Sequence, residues 1–133
     1  MKTILRKDVF VDDFLTTFNE KDHLDMSYMI QTIEHLTSWK PNIWGNDIVG
    51  FGNMTYSNTY VKNQPFFKLG FRKSSTGYTL YLNAYDEALY QLADQHHIKH
   101  GMGCFYLKKK DIHSSIFKAL ILESIKHLDT KDQ

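Results

Sequence analysis

Cysteine occurs once in the 133 residues, at Cys104, so no disulfide can form within the chain. A domain without that staple relies on its core, and the reducing cytoplasm is its expected home. Proline occurs only at Pro41 and Pro65, too rarely for a polyproline linker. No run approaches the ~20 apolar residues that a membrane span needs. Met1 to Asp8 starts like a signal peptide, but no apolar stretch follows, which argues against a cleaved leader. Neither sign of charge dominates, since 16 basic and 15 acidic residues leave a net charge of +1. Non-specific nucleic-acid binding needs a concentrated excess of Lys and Arg, so the balance argues against it. Glycine-rich phosphate loops and Ser-His-Asp orders are missing, and no complete catalytic constellation appears. The expectation is a binding or accessory domain rather than an enzyme.

Aromatic residues, in contrast, are plentiful. Nine Phe and eight Tyr help bring them to 14% of the chain, while charged residues make up 23%. That supply serves a core and a ring-lined surface together. At this length one domain, 1–133 with a core of about 8–127, buries roughly two-thirds of its unfolded surface.

The apolar period sets the elements. Phe10, Val11, Phe14, Leu15 and Phe18 make a helical stripe over 8–20, with Asp12 and Asp13 facing out. Met26, Met29, Ile30, Ile33 and Leu36 predict a second helix over 22–38, capped by Asp22 or Asp25 and ended by Pro41. The period then changes to two. Strands are predicted over 48–56, 66–72 and 78–82, a short helix over 86–95, a fourth strand over 104–107 and a last helix over 112–128. His96 to Gly103 reads as a loop, and the residues from Asp129 as a polar tail. The sum is an α+β domain of order αα-βββ-α-β-α, with a mainly antiparallel sheet of about four to five strands packed with helices.

The densest stretch is Pro41 to Gly52, with one Trp, one Phe, two Ile, a Val and three Gly in a dozen residues. Gly50 and Gly52 alternate on one strand face and leave a trough that an aromatic ring, a helix or a ligand would fill. Lys40-Pro41-Asn42-Ile43-Trp44-Gly45, then Ile48-Val49-Gly50-Phe51-Gly52 and Tyr56, resemble the YdhG-like family of small bacterial domains. Gly70-Phe71, Thr79-Leu80-Tyr81-Leu82, Gly103-Cys104 and Tyr106-Leu107-Lys108-Lys109 extend that resemblance over nearly the whole chain. It implies an α+β fold and an intracellular bacterial protein, and it implies no particular reaction. Where the family tends to carry Ser-Pro-Arg-Lys after the Gly-Phe pair, this chain has Arg72-Lys73-Ser74-Ser75. Some members look like frataxins, which carry iron on acidic helix surfaces.

Four groups of residues are candidate sites. Trp44, Phe51, Tyr56, Phe71 and Tyr81, with Arg72 and Lys73 as polar handles, would line a surface for a small molecule or a protein. Exposed rings there would also seat a second copy of the chain. His96 and His100 would share a face if the short helix ran on, a workable metal pair lacking further ligands. On the frataxin-like alternative, Asp12 and Asp13 lead an acidic ridge for iron; otherwise no cofactor is implied. Arg72 with Lys73, and Lys108 to Lys110, would make a basic patch for a phosphate or acidic peptide, although strand-end lysines also protect sheet edges. Cys104 lacks a neighbouring base and reads as a buried thiol.

Overall fold

The long helix starts at a residue that neither acid predicted: the Asn19 side chain accepts the Asp22 N–H at 2.8 Å. The computed structural model describes residues 3–131, with side chains as far as Leu128. Met1 and Lys2 of the signal-like segment and Asp132 and Gln133 of the polar tail lie outside it. The first helix, α1 (Val11–Leu15), is shorter than its stripe predicts. The Thr16 and Thr17 hydroxyls donate to the Asp13 and Phe14 carbonyls, each at 2.7 Å, and compete with further helical bonding. Helix α2 (Glu20–Thr37) buries Met26, Met29, Ile30 and Ile33, as their spacing predicts. Ser38 ends it at φ 64°, its N–H on the Glu34 carbonyl at 2.7 Å. The chain therefore turns before Pro41, which opens a strand.

The Trp-Gly block is a hairpin. Strands β1 (Pro41–Trp44) and β2 (Ile48–Phe51) pair across the Gly45-Asn46-Asp47 turn. The strand predicted over 48–56 breaks at Gly52, which takes φ 76°. Beyond it, β3 (Met54–Tyr56) and β4 (Gln64–Phe66) form a separate two-stranded sheet. The strand predicted over 66–72 also breaks, because buried Asn83 holds Phe67 and Lys68 off the regular ladder. Its side-chain amide donates to the Phe67 carbonyl at 2.8 Å, and its backbone N–H to that of Lys68 at 3.3 Å. Strands β5 (Leu69–Lys73) and β6 (Gly77–Leu82) follow. Helix α3 (Glu87–Gln95) is capped by Asp86, which accepts the Ala88 N–H at 2.9 Å. The predicted histidine loop contains a strand, β7 (Lys99–His100), paired with β8 (Cys104–Lys108). A 3-10 turn (Asp111–His113) leads into α4 (Ser115–Lys131), which extends past the predicted start of the polar tail.

The class is α+β, but the sheets are larger than expected. Six antiparallel strands run β1-β2-β5-β6-β8-β7, with the β3–β4 pair outside them. All the helices pack on one face of the main sheet. Val49, Phe51, Leu69, Phe71, Leu80, Leu82, Phe105 and Leu107 point there and meet Met26, Met29, Ile33, Phe117, Leu120 and Ile121. Each such side chain contributes ~1.5–3 kcal/mol when fully buried. Both edges of the sheet are occupied or cut short. Leu5 bridges to Trp44, and the Arg6 N–H donates to the Ile43 carbonyl at 2.8 Å. At the other edge β7 has two residues, and past it the Lys108 N–H donates to Asp111 Oδ2 at 2.7 Å.

Candidate functional site

The second sheet face divides into a covered half and a bare half. Strand alternation turns Trp44, Gly50, Gly70 and Tyr81 away from the helices. Over the glycines lies an aromatic cluster: Phe67 stands 5.7 Å from Trp44 and 6.2 Å from Tyr81 between ring centroids, and Phe66 stands 5.5 Å from Tyr56. A Cβ on Gly50 would come within 2.6 Å of Trp44 Cδ1 and 2.8 Å of Phe67 Cβ. Rings fill the trough. Trp44 is 2% exposed.

Consequently the predicted aromatic surface is split by the sheet. Phe51 and Phe71 are fully buried on the helix side, whereas Trp44, Tyr56 and Tyr81 lie on the other. Arg72 and Lys73 part in the same way, as successive strand residues must. The Arg72 guanidinium grips Asp47 on the bare side, at 2.8 Å for Nη2–Oδ2, and that bond raises its pKa against the opposing effect of burial. Burial holds the Tyr81 hydroxyl above its ordinary value. Lys73 Nζ sits 5.6 Å from the centroid of the Tyr78 ring. A groove of about 370 Å³ opens beside the Gly45 turn, lined by Ile4, Arg6, Asp47 and Ile48 but not by Trp44.

The other candidates also separate. His96 is exposed at the end of α3, while His100 lies on β7, stacked on Tyr90 at 4.9 Å and bonded to Asp94 at 2.9 Å. The helix stops at Gln95, so the two do not form the predicted pair. Asp12 and Asp13 are exposed on α1, but Asp22 and Asp25 turn inward. Asp25 Oδ1 is 3.0 Å from His113 Nε2. Lys109 Nζ is 3.0 Å from Asp22 Oδ1, near enough to pair charges although off the hydrogen-bond angle. Burial alone would raise the Asp22 pKa; Lys109, with Lys73 and Asn19, outweighs it and leaves the carboxyl below its usual range. Among the described residues no three His, Cys, Asp or Glu side chains are arranged to hold a metal ion. Burial pushes the Cys104 thiol up, so the nucleophilic thiolate is scarce at neutral pH.

What remains is the bare half, over β6, β8 and β7. Pairing registers set Arg72, Thr79, Tyr106 and Lys99 in one row across four strands. Lys108 lies two residues beyond Tyr106 on the same face. Thr79, Lys99, Tyr106 and Lys108, with Ser74, Ser75, Thr76, His97 and Asp111, enclose a cleft of about 450 Å³, and Arg72 lies outside its lining. A shallower depression of about 660 Å³ continues over Asp94 and His100. Thr79 is floor, at 7% exposure, and Tyr106 is 50% exposed. No known family model, curated protein or solved structure matches the chain. The chemistry of the cleft therefore carries the functional reading.

The sequence signal for this cleft was present in β8. Cys104, Tyr106 and Lys108 alternate with the apolar Phe105 and Leu107, which places a tyrosine and a lysine together on the face away from the core. Lys99 could not be placed with them without the two-residue strand β7.

Proposed function

We propose that this chain is a non-enzymatic binding domain, of the YdhG-like kind its motifs resemble, and that its working surface is the bare half of the sheet. The surface lies next to the aromatic cluster around Trp44 rather than within it. One observation carries the reading. Helices cover one face and β3–β4 covers part of the other, so strands β6, β8 and β7 keep a polar, concave floor with a half-exposed tyrosine. Pockets of this size, a few hundred Å³ with a small set of polar groups, are where small ligands bind.

A fragment screen read by backbone amide shifts tests it. The expected result is that hits move the amides of Thr79, Tyr81, Lys99 and Tyr106 as one cluster. Hits that gather on the helix side, or around Asp12 and Asp13, overturn it. Saturable heat on anaerobic Fe²⁺ titration, lost in Asp12→Asn/Asp13→Asn, would favour the iron-handling alternative instead.

A further inference from the structure

We infer that the cleft over β6 and β8 takes a small aromatic phosphate monoester, a ligand of the mononucleotide class. This rests on the bare half of the sheet being the binding surface.

Charge comes first. Lys99 and Lys108 line the cleft, and neither ammonium has a carboxylate partner among the described residues. The neighbouring charged groups are already engaged: Arg72 by Asp47, and His100 by Asp94. Asp111 is the one acid in the lining, and its Oδ2 accepts the Lys108 backbone N–H at 2.7 Å. The lining therefore carries two lysine charges against one carboxylate, a net positive charge. A monoester dianion, carrying about −1.5 to −2 near neutrality, is opposite in sign to that net charge and can meet both ammonium groups. A polyanion such as RNA would need a longer run of cations than two lysines supply.

Hydrogen bonding agrees. Ser75 and Thr76 stand on the β5–β6 turn at one end of the cleft, with Lys108 on the strand beside it. Ser74 Oγ accepts the Gly77 N–H at 3.2 Å, which leaves its own proton to donate. Hydroxyls and ammonium groups that converge on a small concavity suit the three acceptor oxygens of a terminal phosphate.

The third element is the ring of Tyr106. It lies between Lys99, its neighbour across β7, and Lys108, two residues along its own strand. A half-exposed ring bracketed by cations gives an aromatic ligand a stacking platform within reach of its phosphate. Cross-strand neighbours are about 5 Å apart, so ring and phosphate subsites are separated by one or two residues, the span of a nucleoside monophosphate.

Calorimetric titration at low ionic strength, with AMP, adenosine and inorganic phosphate as probes, tests the inference. Far-UV circular dichroism of each variant confirms that it is folded. AMP is expected to bind saturably and to weaken as salt rises. Lys99→Met/Lys108→Met should weaken AMP at least tenfold. Tyr106→Leu should weaken AMP several-fold while leaving inorganic phosphate unchanged. AMP binding unaltered in the double lysine variant, or no saturable AMP binding, overturns the ligand class. Adenosine binding as tightly as AMP also overturns it, and if Tyr106→Leu abolishes that binding, the surface assignment survives. AMP-induced amide shifts on the helix side overturn both readings.

Discussion

Gly50 shows how far a single residue could be interpreted before its neighbours were known. Its spacing from Gly52 predicts a trough along one strand, but Gly52 leaves the strand and faces Lys68, and the gap lies instead across strands over Gly50 and Gly70. What fills it depends on Phe67, whose direction is set by Asn83, sixteen residues on. No local pattern reports that bond. With Trp44 Cδ1 at 2.6 Å and Phe67 Cβ at 2.8 Å from an added Cβ, Gly50→Ala must displace two large rings. Overpacking of this kind costs ~1–3 kcal/mol, so the urea midpoint should fall with the slope unchanged. The candidate aromatics parted for a similarly simple reason. Phe51 and Phe71 lie on residues that pair with the helix-facing row, whereas Tyr81 is one residue out of step with Leu80 and Leu82.

At the scale of elements, the periodic segments were the legible ones. The stripes of α2 and α4, the strand at 78–82 and the Asp86 helix start follow their local chemistry. The misses are short or irregular: β1 looks like a post-helix loop after Pro41, and β7 is too brief to show a period. One link between elements can be tested directly. Lys109, just beyond β8, pairs with Asp22 in the first turn of α2 and keeps that carboxyl's pKa below its unfolded value. A depressed carboxyl contributes stability above its unfolded pKa, and the contribution is lost as pH falls through the folded one. Lys109→Met should therefore cost ~1–2 kcal/mol at pH 7, a figure reduced because the lysine is 40% exposed. The difference from the parent should begin to shrink as pH falls through the unfolded carboxyl range and close only below the depressed folded pKa of Asp22, where the carboxyl is protonated in both proteins. Chemical denaturation across that pH range measures it.

For the molecule as a whole, one sheet serves two aromatic populations, and its strands belong to both. Trp39 lies against the helix-side core and Trp44 in the cluster on the opposite face. A shared sheet predicts a single cooperative unit, so tryptophan emission and far-UV dichroism should give one urea midpoint. Two midpoints would mean that the β3–β4 side opens independently. No described helix is long and apolar enough to cross a membrane. The treatment of the two sheet edges has a separate consequence, for how copies of the chain behave when crowded. An open edge is a template for strand addition and so for aggregation. Here the segment around Leu5 and Arg6 occupies one edge, and the other shrinks to two residues before the Asp111 carboxylate takes up the next N–H. Asp111 thus acts as a gatekeeper, denying a neighbouring chain the donor from which a continuous ribbon would grow.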